Sequence, residues 1–119
     1  MTQTQDIIRI DRNPRLSKVL VANGFAFLSG LTARDRSGDI KQQTADILEQ
    51  IDGYLSAAKT DRSKLVSVNI WLKDISQFSQ MNEVWEAWVD PETVPSRATV
   101  QAELAHSDLL VEIKAQALV

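Results

Sequence analysis

The chain has 119 residues, enough for one ordinary domain and too few for two comfortable cores, and its 44% hydrophobic and 24% charged content is that of a folded globular protein. It has no cysteine and one histidine, which excludes disulfides, thiolate zinc sites and multi-histidine metal centres, and a net charge of −3, with Arg9, Arg12, Arg15 and Lys18 spread thinly among acids, argues against nucleic acid. No apolar run approaches the ~20 residues of a membrane span, and Met1–Asp6 has neither the basic nor the apolar region of a signal peptide, so a cytoplasmic protein is expected.

Asp6–Ile10 reads as a first short strand, ended by Arg12-Asn13-Pro14. Leu16–Ala22 is a second strand, and Asn23-Gly24 is a two-residue hairpin signal because both residues tolerate positive φ. Phe25–Gly30 follows as a third strand, with Phe25, Phe27 and Ser29 on one face. Thr32–Asp39 is a polar loop. Ile40–Ala58 is a helix whose stripe is Ile47, Leu48, Ile51, Leu55 and Ala58, with Tyr54 at its edge and Glu49, Gln50 and Asp52 facing water. Val66, Val68, Ile70 and Leu72 alternate with Ser67, Asn69, Trp71 and Lys73 as a fourth strand. Asp74 or Ser76 caps a second helix, Asp74 and Gln77 have capping-box spacing, and Phe78, Met81, Trp85, Trp88 and Val89 form its stripe until Pro91 ends it. Two more alternating segments, around Pro95–Val100 and Val111–Ala115, complete the chain.

The order is β-β-β-α-β-α-β-β in a single domain, 1–119: a two-layer α+β fold with a mostly antiparallel sheet and both helices on one face. The helices are expected to cover Val66, Val68, Ile70, Leu72, Ala98, Val100, Ala102, Val111, Ile113 and Ala115. The other face then holds Phe25, Phe27, Ser29, Trp71, Arg97, Thr99, Gln101, Glu112 and Lys114, too aromatic and too sparsely charged for a plain solvated surface. Either this face packs on further copies of the chain or a loop covers it within one. If the last two strands form a hairpin turning at Ala105–Asp108, Arg97 faces Gln116 and lies ~13 Å from Glu112, so the two charges form no direct pair.

Pro95-Ser96-Arg97-Ala98-Thr99-Val100 followed by Val111-Glu112-Ile113 closely resembles the C-terminal signature of the RidA (YjgF/YER057c/UK114) family. Phe27-Leu28-Ser29-Gly30, Gln43-Thr44 with Leu48, and Met81-Asn82-Glu83 with Trp85 and Trp88 resemble other segments of that family in the same order. The resemblance implies a chorismate mutase-like fold, a homotrimer with clefts between subunits, and hydrolysis of enamine and imine acids such as 2-iminopropanoate and 2-iminobutanoate to 2-keto acids and ammonia, with no cofactor and no metal. Arg97 then holds the substrate carboxylate, Glu112 holds or deprotonates the attacking water, Ser29, Gly30 and Thr99 supply hydrogen bonds, and Asn82 braces the site. The sequence departs from the family pattern at Leu16, where an aromatic is usual, at Thr99, where cysteine is common, and at Leu31, where glutamine or a similar residue often follows Ser-Gly. Those departures alter the pocket wall and leave the carboxylate clamp and the glutamate in place.

Three function classes stay open at this level: an imine deaminase, a non-catalytic sensor or carrier of small carboxylates, and a protein- or RNA-directed role, the last disfavoured by the acidic balance. Trp85 and Trp88 read as core residues and His106 as a surface turn residue.

Overall fold

The computed structural model describes residues 6–119; Met1–Gln5 of the segment read for a signal peptide lie outside them. Strands β1 (Ile8–Arg12), β2 (Ser17–Ala22) and β3 (Phe25–Leu28) precede helix α1 (Ile40–Ala57). Strand β4 (Leu65–Leu72), helix α2 (Phe78–Trp88), and strands β5 (Ser96–Gln101) and β6 (Val111–Leu118) follow, with short 3-10 turns before β4 and α2. The element order and the helix positions match the sequence reading. The strands form one sheet in the order β1-β2-β3-β6-β4-β5, antiparallel throughout except for β4 and β5. No helix among the described residues is long and apolar enough to cross a membrane.

Local chemistry fixes the turns. Asn23 and Gly24 sit at φ 52° and 82°, the left-handed pair that a two-residue hairpin needs, and set Ala22 opposite Phe25. The β1–β2 turn is held by the Asn13 carboxamide oxygen, which accepts from the backbone N–H of Arg15 and of Leu16. A capping box does occur, at Asp39 and Gln42 on α1 rather than at Asp74 and Gln77. Asp74 caps only the 3-10 turn, through Ser76, and the Gln77 side-chain oxygen is shielded with no partner among the described residues.

The core lies between the helices and one sheet face. Ile47, Leu48, Ile51 and Leu55 of α1 and Met81 and Trp85 of α2 meet Val19, Leu28, Val68, Ile70, Leu72, Val111, Ile113 and Ala115, all buried. Asp52 is not simply solvated: Arg62 and the Trp88 indole N–H both donate to it.

Two expectations fail here. The last two strands are not a hairpin. β5 lies parallel to β4 at the sheet edge, reached through α2, and β6 lies between β3 and β4. The physical reason is burial: Val111, Ile113, Ala115 and Ala117 are at most 1% exposed, which only a central strand covered by the helices achieves, whereas β5 carries Arg97, Thr99 and Gln101 on its inward side and suits an edge. In the parallel register Arg97, Thr99 and Gln101 pair with Val68, Ile70 and Leu72, so they share the helix-covered face. Ala98 and Val100 point outward instead of into the core, Val100 being 51% exposed, and Ala102 is only partly buried. Val66 is also outside, because the register shift between Leu65 and Ser67 is a bulge that takes up one residue and turns Leu65 inward in its place.

The loops at one end of the sheet are tied down by a buried amide. Gln43 is fully buried; its Nε2 donates to the carbonyl oxygens of Gly38 and Asp108, and its Oε1 accepts from Leu110 N–H at 2.9 Å. Gln43→Leu keeps the size and leaves these backbone groups unpaired, so a loss of about 1–3 kcal/mol in urea unfolding is expected. An unchanged midpoint would mean that water replaces the amide.

Candidate functional site

The residues singled out from the sequence fall into two groups on opposite faces of the sheet. Counting two strands across and three residues along, from Glu112 opposite Trp71 to Arg97 opposite Val68, puts their Cα atoms ~14 Å apart with the side chains diverging. Within one chain they do not meet.

The first group sits where edge strand β5 faces α2. The Arg97 guanidinium carbon lies 5.3 Å from the centroid of Trp85 and 5.7 Å from that of Phe78. Both rings present their π faces to a cation, so they hold the guanidinium without using its N–H groups. Arg97 makes no ion pair and no side-chain hydrogen bond among the described residues. Burial lowers its pKa, Glu86 opposes that, and it stays a cation at neutral pH. Thr99 is on the same side of β5, two residues on, with its hydroxyl oxygen shielded and unpartnered among the described residues. Asn82 lies on α2 between Phe78 and Trp85 and is half-buried, but no side-chain hydrogen bond ties it to Arg97. The side-chain contacts to Arg97 come from the two rings, which the sequence reading had assigned only to the core stripe; their spacing of seven residues, two helical turns, was the available signal.

The second group lies on the uncovered face. The Ser29 hydroxyl donates to the Ser17 carbonyl oxygen at 2.6 Å and its N–H to the Lys18 carbonyl oxygen at 2.9 Å, pinning the chain where it leaves β3. Leu31 then pairs with Ile113 through two backbone hydrogen bonds. Leu31 is 1% exposed, so it is part of the core and its departure from the family pattern does not alter a pocket wall. Between them Gly30 faces Glu112: a Cβ on Gly30 would lie 2.3 Å from the Glu112 Oε2. The carboxylate therefore rests on the bare backbone of Gly30. Beside Ser29 opens a cleft of about 500 Å³, bordered by Leu16, Phe27, Ser17 and several cationic side chains. Leu16, on its rim, is 41% exposed. His106 is an exposed turn residue.

The two groups offer different chemistry on the two faces of the sheet. One offers an unpaired cation at a sheet edge. The other offers a carboxylate, a serine and a cleft on a face that also exposes Val100 and Leu118 and only half covers Phe25, Phe27 and Trp71.

Residues 8–119 match the protein family described as Endoribonuclease L-PSP. A RutC family protein from Haemophilus ducreyi is 38% identical over 107 residues, covering 90% of this chain and 92% of its own. The chain belongs to the RidA (YjgF/YER057c/UK114) family. The RutC family protein YoaB of Escherichia coli is 37% identical over 113 residues, spanning 95% of this chain and 98% of its own. Among solved structures, a YjgF-family protein from Neisseria meningitidis superposes with a TM-score of 0.92 at 39% identity, covering 95% of this chain and 94% of that one. The match of this RidA-family chain takes in both groups of residues, from Leu16 to Glu112.

Proposed function

We propose that this protein hydrolyses 2-imino and enamine acids to 2-keto acids and ammonia, in clefts formed between the subunits of a homotrimer. The observation that carries the reading is the division of the site: an unpaired, ring-stacked Arg97 on edge strand β5, and Glu112 seated on Gly30 beside Ser29 on the opposite face. Neither half works alone. A cyclic assembly joins one patch to a different patch of the neighbour, which brings Arg97 of one subunit to Glu112 of the next. The apolar outer face around Phe25, Phe27, Trp71 and Val100 supplies the surface such an assembly buries.

The chemistry follows from the groups. Arg97 holds the substrate carboxylate with two parallel N–H donors and fixes the C=N carbon in place. Glu112 takes a proton from a water as that water's oxygen bonds to the carbon and the C=N π bond opens, and passes that proton to the imine nitrogen, which returns Glu112 to the carboxylate. The carbinolamine so formed loses ammonia as the C=O bond closes. Because an imine is already electrophilic, placement of water and carboxylate provides most of what is needed. Thr99 and Ser29 lie on the two walls and bond the substrate's polar edges.

The test is keto-acid release from imine generated in place by a serine/threonine dehydratase, with semicarbazide trapping what escapes. The wild type accelerates release; Arg97→Ala and Glu112→Gln lose it while remaining folded. A wild type without effect on any imine overturns the reading.

A further inference from the structure

The cationic side chains around the Ser29 cleft are more than the reaction requires. Arg9 and Arg12 of β1, Arg15 of the following turn and Lys114 of β6 all line it, and among the described residues no acidic one does. They are dispersed in sequence, Lys114 lying near the other end of the chain, and the sheet gathers them because β2 and β3 place β1 and β6 on either side of the same depression. None of the four takes part in an ion pair among the described residues, although Arg34, Arg36, Lys41 and Arg62 elsewhere on the molecule all do. Arg12 is paired with Ser17 at the end of β1 and the turn that carries Arg15 is fastened by Asn13, so their backbone is fixed rather than free to drift. Like charges gathered without counter-charge destabilise the folded chain unless an anion uses them.

One anion is accounted for: the 2-carboxylate, assigned to Arg97 of the neighbouring subunit. The basic cleft is a separate place, on the Ser29 side. From this we infer that the substrate carries a second acidic group, and that the preferred class is the 2-imino dicarboxylates derived from acidic amino acids. The inference rests on the deaminase reading of the site. Its geometry is simple: Arg97 holds the carboxylate next to the C=N carbon, and Arg9, Arg12, Arg15 and Lys114 receive the side-chain carboxylate at the far end. A cleft of about 500 Å³ suits a small dianion, and a chain of net charge −3 is a poor match for a polyanion.

The experiment compares two imines, one made by L-glutamate oxidase from glutamate and one made by an L-amino-acid oxidase from a neutral amino acid of similar length, with catalase present. Calorimetric binding of the products, 2-oxoglutarate and 2-oxopentanoate, is measured alongside. The wild type should show at least a tenfold higher kcat/KM for the dicarboxylate and at least tenfold tighter binding of 2-oxoglutarate. Arg12→Gln/Arg15→Gln should bring both ratios toward one, as should raising the ionic strength, because these side chains are exposed and screened by salt over ~8 Å at physiological strength. Turnover of the neutral imine with ratios near one in the wild type overturns this inference and leaves the deaminase reading intact. Tight binding of 2-oxoglutarate that depends on Arg12 and Arg15, with no turnover of either imine, overturns the deaminase reading and keeps the dianion site.

Discussion

Mixed oligomers of Arg97→Ala and Glu112→Gln should recover activity that neither variant has alone. Each variant on its own is expected to fall at least 100-fold, since one removes the carboxylate clamp and the other the proton acceptor, both in every cleft. If each cleft draws Arg97 from one subunit and Glu112 from the next, randomly assembled trimers of the two variants in equal amounts restore roughly one quarter of the clefts to the wild-type pair. The fold should tolerate both changes. Arg97 has no ion pair to lose among the described residues, and Glu112 is a half-buried outward residue whose amide counterpart is the same shape. Co-expression with two affinity tags isolates the mixed species, and native mass spectrometry counts its subunits. Confirmed mixed trimers without recovered turnover would sink the shared cleft, and a monomer would remove the trimer with it. Arg97→Lys separates charge from shape: a lysine keeps the cation over Trp85 and Phe78 but has no planar fork, so a rise in KM is the expected signature.

The two-faced division of the site also shows what the sequence could and could not reveal. Helical periodicity placed α1 within a residue and α2 within a turn, its start read at the cap of the 3-10 turn that precedes it, because Ile47, Leu48, Ile51 and Leu55 and then Phe78, Met81 and Trp85 admit one reading. Asn23-Gly24 named its own turn. The alternation of β5 was equally clear, but alternation says only that Arg97 and Ala98 lie on different faces, not which face is covered. That depends on the neighbouring strand, and two strands joined by nine residues, Ala102–Leu110, were read as a hairpin when α2 had already committed β5 to run parallel to β4. The bulge at Val66 misleads in the same way, since one extra residue inverts the phase of everything before it. The basic cleft was invisible for a different reason. Arg9, Arg12 and Arg15 look diluted along the chain, and only the strand order brings Lys114 beside them. Gln43 stood out only as part of the family resemblance and not for its structural role, because a buried amide is recognised by its partners, and Gly38, Asp108 and Leu110 come from loops whose paths periodicity does not describe.

Gly30→Ala should separate folding from chemistry most cleanly. The added methyl would sit 2.3 Å from the Glu112 Oε2, closer than non-bonded atoms approach, so one of the two must move. Gly30 is followed by Leu31, whose two hydrogen bonds to Ile113 fix the backbone, whereas the carboxylate is the far end of a flexible side chain. The carboxylate is therefore what moves. Thermal unfolding should stay close to wild type, within about 1 kcal/mol, because no core contact is lost. Activity should not stay close: a base displaced by an ångström or more is expected to cost about 100-fold in kcat/KM. If the loss acts through Glu112, then Gly30→Ala/Glu112→Gln should be no slower than Glu112→Gln alone, since the second change has nothing left to disturb. Fully additive losses would mean that Gly30 acts on the substrate directly, with its backbone rather than its missing side chain as the functional group. Wild-type activity in Gly30→Ala would mean that the Glu112 seat is not the working position of the carboxylate.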